Sequence, residues 1–562
     1  MRKIYFIFGL IATLGLTMCT PKVKDVATTT VQKQTDFRSQ APKPAPAKPI
    51  NMGTYEDFSL NNGLRVIVVE NHKLPRVSFQ LSMDNDPIVE GDQAGYTSIA
   101  GDLLGRGTKT RTKAQIDDEV DFIGASMSTN SGGMFGSSLK KHMYPLLDVM
   151  SDVLLNPSFP QEEFDKIKKQ MISGLQTSKD DPGAMASNVS QVLNFGKGHP
   201  YGEQMTEKTV EAVSMKNCKD YYDKYYRPNN AYLVIVGDIT PTEAKTVAEK
   251  YFGGWKKGNV PSHKYETVSA PASSQVAFVP KDGAVQSSIR VTYPVMYKPG
   301  SSDAIAISVL NNVLGGGFNG RLNLNLREDK GYTYGARSSI ASDDLMGRFN
   351  ASAEVRNEVT DSSVHEFVEE MRKISTTPIT AEELSFAKNF MSGSFARSME
   401  NPQTIARFAL NTIKNKLPTD YYNTYLSRLE AVSIADVTKA AKKYIRPENA
   451  YIVVVGNKDE VAAKLSKFSA DGKVKYYDMY GDELEEAGDV PAGVTGESVI
   501  KDYLAAIGGM DKLKTIKTYE SEASIDMGGA SLTMTILKKA PNKIAVMQGM
   551  GDQVMGLSLI HI

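Results

Sequence analysis

The side chains best suited to metal or nucleophilic chemistry are sparse and scattered in this chain. Its six histidines are His72, His142, His199, His263, His365 and His561, and no two stand three or four residues apart. A helical zinc site needs donors at that spacing, because residues four apart share one helix face. The five internal histidines are therefore expected to be structural or merely exposed, and His561 is left without a reading. Cys218 has no His or Asp signature beside it and reads as a small core residue. Gly315-Gly316-Gly317-Phe318-Asn319-Gly320 formally matches a dinucleotide fingerprint. That fingerprint requires a preceding strand. Here residues 304–314 form an apolar helical run, so a mobile loop leading into the following segment is expected instead. Lys plus Arg and Asp plus Glu number 65 each, which gives no electrostatic case for nucleic acid.

The elements that would position any site come in duplicate. Residues 225–237 return as residues 444–456, with nine of thirteen positions identical. Each copy reads as a helix ending at Arg-Pro, a turn, and a β-branched strand closing on Gly. The landmarks around the repeat are duplicated as well. Pro160 with Glu162-Glu163 opens a long helix that Asp181-Pro182 stops, and Thr380 with Glu382-Glu383 opens another that Asn401-Pro402 stops. The expected fold class is α+β: two homologous domains, each an antiparallel sheet packed with helices, plus a truncated C-terminal β-meander domain. Residues 54–257 and 273–477 are the two domains, joined by a linker over 258–272 that contains Pro261 and shows little hydrophobic periodicity.

Both ends of the chain differ from this body. Arg2 and Lys3 precede an apolar run over residues 4–16, the pattern of an export signal over residues 1–18. Leu16-Thr17-Met18-Cys19 resembles a lipobox, with Met18 where a small residue is usual; Cys19 would then be lipidated. An ordinary secreted form and a retained anchor stay open. Residues 19–53 are polar and Pro-rich, a tether that cannot offset its own ordering entropy. At the other end, 478–498 reads as an acidic, Gly-rich linker. Residues 499–556 then give a helix and three alternating strands, similar to the start of a lipoprotein-carrier half-barrel. Residues 557–562 continue no pattern and read as a non-native tail.

Within the body, Asn62-Gly63-Leu64-Arg65-Val66, the stretch from Gly95 to Gly107-Thr108, His199-Pro200-Tyr201-Gly202 and Tyr226-Arg227-Pro228-Asn229-Asn230 follow in order. Together with the duplication they resemble the insulinase/pitrilysin/mitochondrial-processing-peptidase family over roughly residues 55–480. Active members carry H-x-x-E-H on the helix after the second strand, where two His bind zinc and the Glu polarises the attacking water. Carried onto this chain, those positions are Ser98, Gly101 and Asp102. A hydroxyl and one carboxylate make a poor zinc site, and no general base is present. The family's further ligand, a Glu late on the long helix, has no counterpart, since residues 168–176 hold no Asp or Glu. Leu326-Arg327-Glu328-Asp329-Lys330-Gly331-Tyr332-Thr333-Tyr334 resembles the family segment whose Arg and Tyr contact substrate across the cleft, here Arg327 and Tyr334.

The resemblance implies a non-catalytic, substrate-binding subunit of a heteromeric zinc metallopeptidase acting on peptides. The chain itself would hold no cofactor. A partner chain would carry H-x-x-E-H and the zinc, Arg327 and Tyr334 would meet the substrate, and Cys19 would tie the assembly to the bacterial cell envelope, periplasmic or surface-facing. Two alternatives remain: an inactive scaffold with a peptidase fold, and a metallopeptidase with non-standard ligands.

Overall fold

The computed structural model describes residues 54–485, 494–526, 531–550 and 553–561. The expected signal peptide, Cys19 and the tether lie outside the described residues. The first half runs β1 (Glu56–Ser59), β2 (Arg65–Glu70), β3 (Arg76–Met83), α1 (Tyr96–Leu104), α2 (Lys113–Phe122), β4 (Ser126–Asn130), β5 (Gly133–Leu139), α3 (Met143–Leu155), α4 (Gln161–Ser178), α5 (Pro182–Phe195), α6 (Glu207–Ala212), α7 (Met215–Tyr225), β6 (Ala231–Gly237) and α8 (Pro241–Phe252). The second runs β7 (Gln275–Pro280), β8 (Gln286–Val295), α9 (Ala304–Asn311), α10 (Arg321–Asn323), β9 (Thr333–Ala341), β10 (Gly347–Arg356), α11 (Thr360–Thr376), α12 (Ala381–Ser398), α13 (Pro402–Lys414), α14 (Tyr425–Ala431), α15 (Ile434–Tyr444), β11 (Tyr451–Gly456), α16 (Lys458–Val461) and β12 (Val474–Tyr476).

Each half is one six-stranded sheet, ordered β1-β2-β6-β3-β5-β4 in the first and β12-β7-β11-β8-β10-β9 in the second. The thirteen-residue repeats supply β6 and β11, late in sequence yet central in their sheets, with only the short edge strand β12 following β11. Each runs antiparallel to one neighbour (β3 or β8) and parallel to the other (β2 or β7). The sheets are therefore antiparallel along their hairpins and mixed where the repeat strand returns. A strand coming back through helices can enter in either direction, whereas a short turn permits only one.

Alternation divides each sheet into two faces. On β3, Val77, Phe79, Leu81 and Met83 enter a core with the helices of the first half, while Arg76, Ser78, Gln80 and Ser82 point the other way. On β8, Ile289, Val291 and Tyr293 do the same in the second half. The other faces are covered by exchange. α5 leaves the first half and lays Met185, Ala186 and Val189 on Ala277, Val279, Val453 and Val455 of β7 and β11. α13 leaves the second and packs Ala406 and Ala409 on Ile67, Val69, Val234 and Val236 of β2 and β6.

Matching caps start the two exchanged helices. Asp181 accepts from the backbone of Gly183 and Ala184, Asn401 from that of Gln403, and a proline follows each as the first helical residue. Polar contacts then fix them in place: Asn194 Nδ2 donates to Thr292 Oγ1 at 2.8 Å, and Gln403 Nε2 to Ser78 Oγ at 2.6 Å.

Three boundaries differ from the sequence reading. The 258–272 joint is pinned rather than free, with Tyr265 Oη donating to the Pro87 carbonyl and His263 Nε2 2.7 Å from Tyr225 Oη. Met479 and Tyr480 pack with the α5 cluster, so the body continues past 477 into the expected linker. At the far end, α17 (Gly496–Ala506) and α18 (Gly509–Thr515) precede a four-stranded meander, β13 (Thr518–Asp526), β14 (Ser531–Lys539), β15 (Lys543–Met550) and β16 (Gln553–His561). Residues 557–561 are therefore paired strand rather than patternless tail, because Leu557 and Leu559 take the places opposite Met547 and Ala545.

Two outcomes test this description. Met185→Ala removes a buried anchor of the exchange and is expected to cost about 2–5 kcal/mol in denaturant unfolding, with both halves lost in one transition. His72 bridges the ends of β2 and β6, its Nδ1 2.5 Å from Asp238 and its Nε2 2.6 Å from Glu70. Those carboxylates, Asp238 first, raise its pKa above the ordinary value. Its contribution to stability is complete below the unfolded value near ~6.5 and fades as pH rises through the raised folded one. His72→Gln is expected to remove that component from thermal melts recorded across the interval.

Candidate functional site

α1 carries Ser98, Gly101 and Asp102, the positions onto which the family resemblance places the zinc motif. Its N-terminus is held from outside by Glu90, whose carboxylate accepts from the backbone N–H of Gly95 and Thr97 and from Thr97 Oγ1 at 2.7–3.1 Å. A carboxylate there also complements the helix dipole. Ile99, Ala100, Leu103 and Leu104 face the core, while Ser98 and Asp102 are half-buried on the other side. Burial pushes the Asp102 carboxyl up, and Arg106 opposes that shift.

Gly101 decides what this helix can do. A Cβ built on it would stand 2.1 Å from the Ser131 nitrogen and 2.2 Å from the Asn130 carbonyl carbon. One turn on, a Cβ at Gly105 would meet Thr129 Oγ1 at 2.9 Å. The β4–β5 hairpin therefore rests directly on a glycine stripe of α1. Two tyrosines of the α7 region hold it there, with Tyr226 Oη donating to the Asn130 carbonyl and Tyr221 Oη to the Ser131 carbonyl. The space a general-base Glu would need is filled by backbone. Zinc does not fit the residues present: the donor set is one hydroxyl and one carboxylate, and the third position admits no side chain.

The internal histidines take other places. His199 is buried among Phe195, Tyr201 and Tyr265, its Nδ1 accepting from the Tyr201 backbone, and burial lowers its pKa. His263 meets Tyr225, His142 is half-buried and His365 is exposed. Cys218 is buried against α1, its thiol pushed up to about 12 by burial, which leaves it protonated and unreactive at neutral pH.

The second half presents its groups openly. α9 runs into a π-helical turn over Asn312–Gly316, so the expected glycine loop is helical in its first part. A Cβ on Gly320 would lie 2.8 Å from the Gly315 Cα, a close backbone approach that requires glycine. A second π-helical turn, Leu324–Asp329, carries Arg327. Its guanidinium stands 4.7 Å from the Phe318 ring centroid and 3.5 Å from Glu328, with 34% of the side chain exposed. Tyr334 opens β9 and is 93% exposed. Among the described residues, none hydrogen-bonds its hydroxyl. Arg327 can orient a carbonyl or carboxylate and Tyr334 can donate a hydrogen bond, without either supplying a nucleophile or base.

Sequence reasoning missed the cavity of about 220 Å³ beside the hairpin, lined by Asn85, Asp86, Glu90, Thr97, Ser131 and Tyr221 among others. Its acids serve the fold: Asp86 accepts from Ser262 Oγ and the His263 backbone, and Glu90 holds α1. No short motif announces it, since its walls come from segments far apart in sequence.

A duplicated α+β body, glycine where the catalytic Glu would stand and an open Arg/Tyr segment define a peptidase-fold protein without the peptidase centre. Residues 212–391 match the family described as "Peptidase M16 inactive domain". The chain is 23% identical over 408 residues to "Uncharacterized zinc protease YmxG" of Bacillus subtilis, covering 71% of this chain and 97% of that one. It is 22% identical over 410 residues to "Non-peptidase homolog YmxG" of Helicobacter pylori, covering 70% and 92%. A crystal structure of a peptidase M16 inactive domain from Pseudomonas fluorescens superposes with TM-score 0.66 at 23% identity, covering 72% of this chain and 98% of that one. The chain thus shares the fold of the insulinase-like M16 peptidases and is similar to members whose names mark them as inactive.

Gly101→Ala is expected to destabilise by about 1–3 kcal/mol in denaturant unfolding, because the hairpin must move. Ser98→His/Gly101→Glu/Asp102→His, which writes the zinc motif back, is expected to bind no stoichiometric zinc by elemental analysis.

Proposed function

We propose that this chain is the non-catalytic, substrate-binding subunit of a heteromeric M16 zinc peptidase acting on peptides outside the cytoplasm. A partner chain supplies H-x-x-E-H, its zinc and the general base, and this chain supplies Arg327 and Tyr334 to the shared cleft. The observation that carries the reading is the contrast between halves. Backbone fills the catalytic position on α1, while Tyr334 stands almost wholly in solvent with a free hydroxyl. Division of a site between two chains is chemically sufficient, because orienting the peptide and activating water are separate tasks. The M16 relative named a non-peptidase homolog supports the inactive part of this reading. The lipobox-like segment ending at Cys19 supports an envelope anchor.

The test is to tag the chain in its host, recover it from the envelope with whatever it binds, and assay a fluorogenic peptide. The chain alone is expected to give no turnover, and the recovered complex turnover that a chelator abolishes. Arg327→Ala/Tyr334→Phe is expected to cut kcat/KM of the complex by at least about tenfold, the scale of one oriented hydrogen bond lost in the transition state. Full activity of that variant, or recovery with no peptidase attached, removes the proposal. Cys19→Ser is expected to move the protein from the membrane to the soluble fraction.

A further inference from the structure

The face of the second sheet that bears α5 is only partly covered. α5 lies over the β7, β11 and β8 side, which leaves β10 and β9 open. Three arginines stand on this face. Register sets Arg290 of β8 opposite Ser352 of β10, and Ser352 opposite Arg337 of β9, so the three residues form one row across the sheet. Arg348 lies four residues from Ser352 on the same strand and hence on the same face. Thr292, Asn350 and Ser339 fill the row between.

Many arginines elsewhere in the chain are ion-paired, among them Arg65, Arg111, Arg321 and Arg372. Arg290, Arg337 and Arg348 are not: among the described residues, no carboxylate lies within salt-bridge distance of any of them. Arg290 donates from Nη2 to the Gly183 carbonyl at 3.1 Å, and its Nε is buried with no partner at all. Burial lowers the pKa of both Arg290 and Arg348, and Arg348 lowers that of Arg290 further. Two acids oppose this at Arg290, Glu354 and Asp181. The Asp181 carboxylate is already committed to capping α5. Arg290 and Arg348 are half-buried and Arg337 is exposed, beside the hydroxyl and amide groups of that face. Glu354, exposed two residues from Ser352 on the same face, is within salt-bridge distance of none of them. Guanidinium groups so placed are poised for bidentate carboxylates.

We propose that this face binds the side-chain carboxylates of an acidic peptide segment laid in extended form over β10 and β9. The row holding Arg290 and Arg337 is about 13 Å from Arg348, the span of four residues of extended chain. Acidic residues four apart in the peptide reach both. The inference deepens the substrate-binding role and rests on the reading that the chain holds peptide.

The experiment is fluorescence anisotropy on the purified chain with a short labelled peptide carrying two glutamates four residues apart, compared with the same peptide carrying glutamines. The Glu peptide is expected to bind at least about tenfold tighter at about 50 mM salt, with the gap shrinking near 300 mM as screening sets in. R337Q/R348Q is expected to close the gap at an unchanged melting temperature, and R337K/R348K to retain part of it. Equal affinity for the two peptides overturns the proposal, as does a gap that survives R337Q/R348Q. Should that variant fail to fold, the Glu-to-Gln comparison and its salt dependence on the unaltered chain decide alone. Displacement of the Glu peptide by millimolar inorganic phosphate would assign the face to small free anions and overturn the peptide reading. Arg327→Ala/Tyr334→Phe is expected to weaken Glu and Gln peptides alike. A charge gap that persists while that variant binds normally sinks the Arg/Tyr role and leaves this face standing.

Discussion

Each six-stranded sheet buries one face with helices of its own half, and among the described residues the helix packed on the other face comes from the opposite half. α5 and α13 make that exchange. Met185 and Val189 need the valines of β7 and β11, and Ile67 and Val234 need the alanines of α13. Apolar strand surface left in water forfeits its burial energy and invites association, so the two halves depend on each other for solubility as much as for stability. The place where each exchanged helix stops also fixes what remains uncovered. On the first sheet that is the β5–β4 side, with Ser126, Ser128 and Phe135; on the second it is the β10–β9 side, with its arginines.

The two halves spend the same frame differently. In the first, α1 meets a hairpin at two glycines and two tyrosines tie the hairpin down, an arrangement that leaves no room for a side chain at 101. In the second, two π-helical turns precede β9; the later one carries Arg327 beside Phe318, and Tyr334 on β9 stands in solvent. π-helical turns inside otherwise regular helices are frequent at functional sites. One half therefore acts as a wall, the other as a set of presented groups.

Much of this was legible in the sequence because it is written in local patterns. The Arg-Pro turn and β-branched run announce β6 and β11, and Asp181-Pro182 and Asn401-Pro402 announce the ends of α4 and α12. That residues 98, 101 and 102 hold no histidine or glutamate is likewise plain in the sequence, whereas the backbone packed on Gly101 is not. The exchange was not legible, because the apolar stripe of α5 says that it is buried and nothing about which sheet covers it. The Arg290–Ser352–Arg337 row was hidden for the same reason, since strand register joins residues more than sixty apart in sequence. The 258–272 joint looked free because its fastenings are single polar atoms of His263 and Tyr265 rather than a periodic stripe. The parallel entry of the repeat strands also lies beyond local pattern, being set by how a helical crossover returns.

The glycine stripe of α1 works as a ratchet on the chemistry of the whole chain. A histidine can be put back at 98 or 102 by changing one residue, but a glutamate at 101 must first displace the turn at Asn130 and Ser131. That turn is tied to Tyr221 and Tyr226, and those tyrosines belong to the packing of α7. A side chain at 101 would thus require the hairpin and α7 to shift with it. Backbone packing at 101, and not the donor set alone, stands against a zinc centre on this helix.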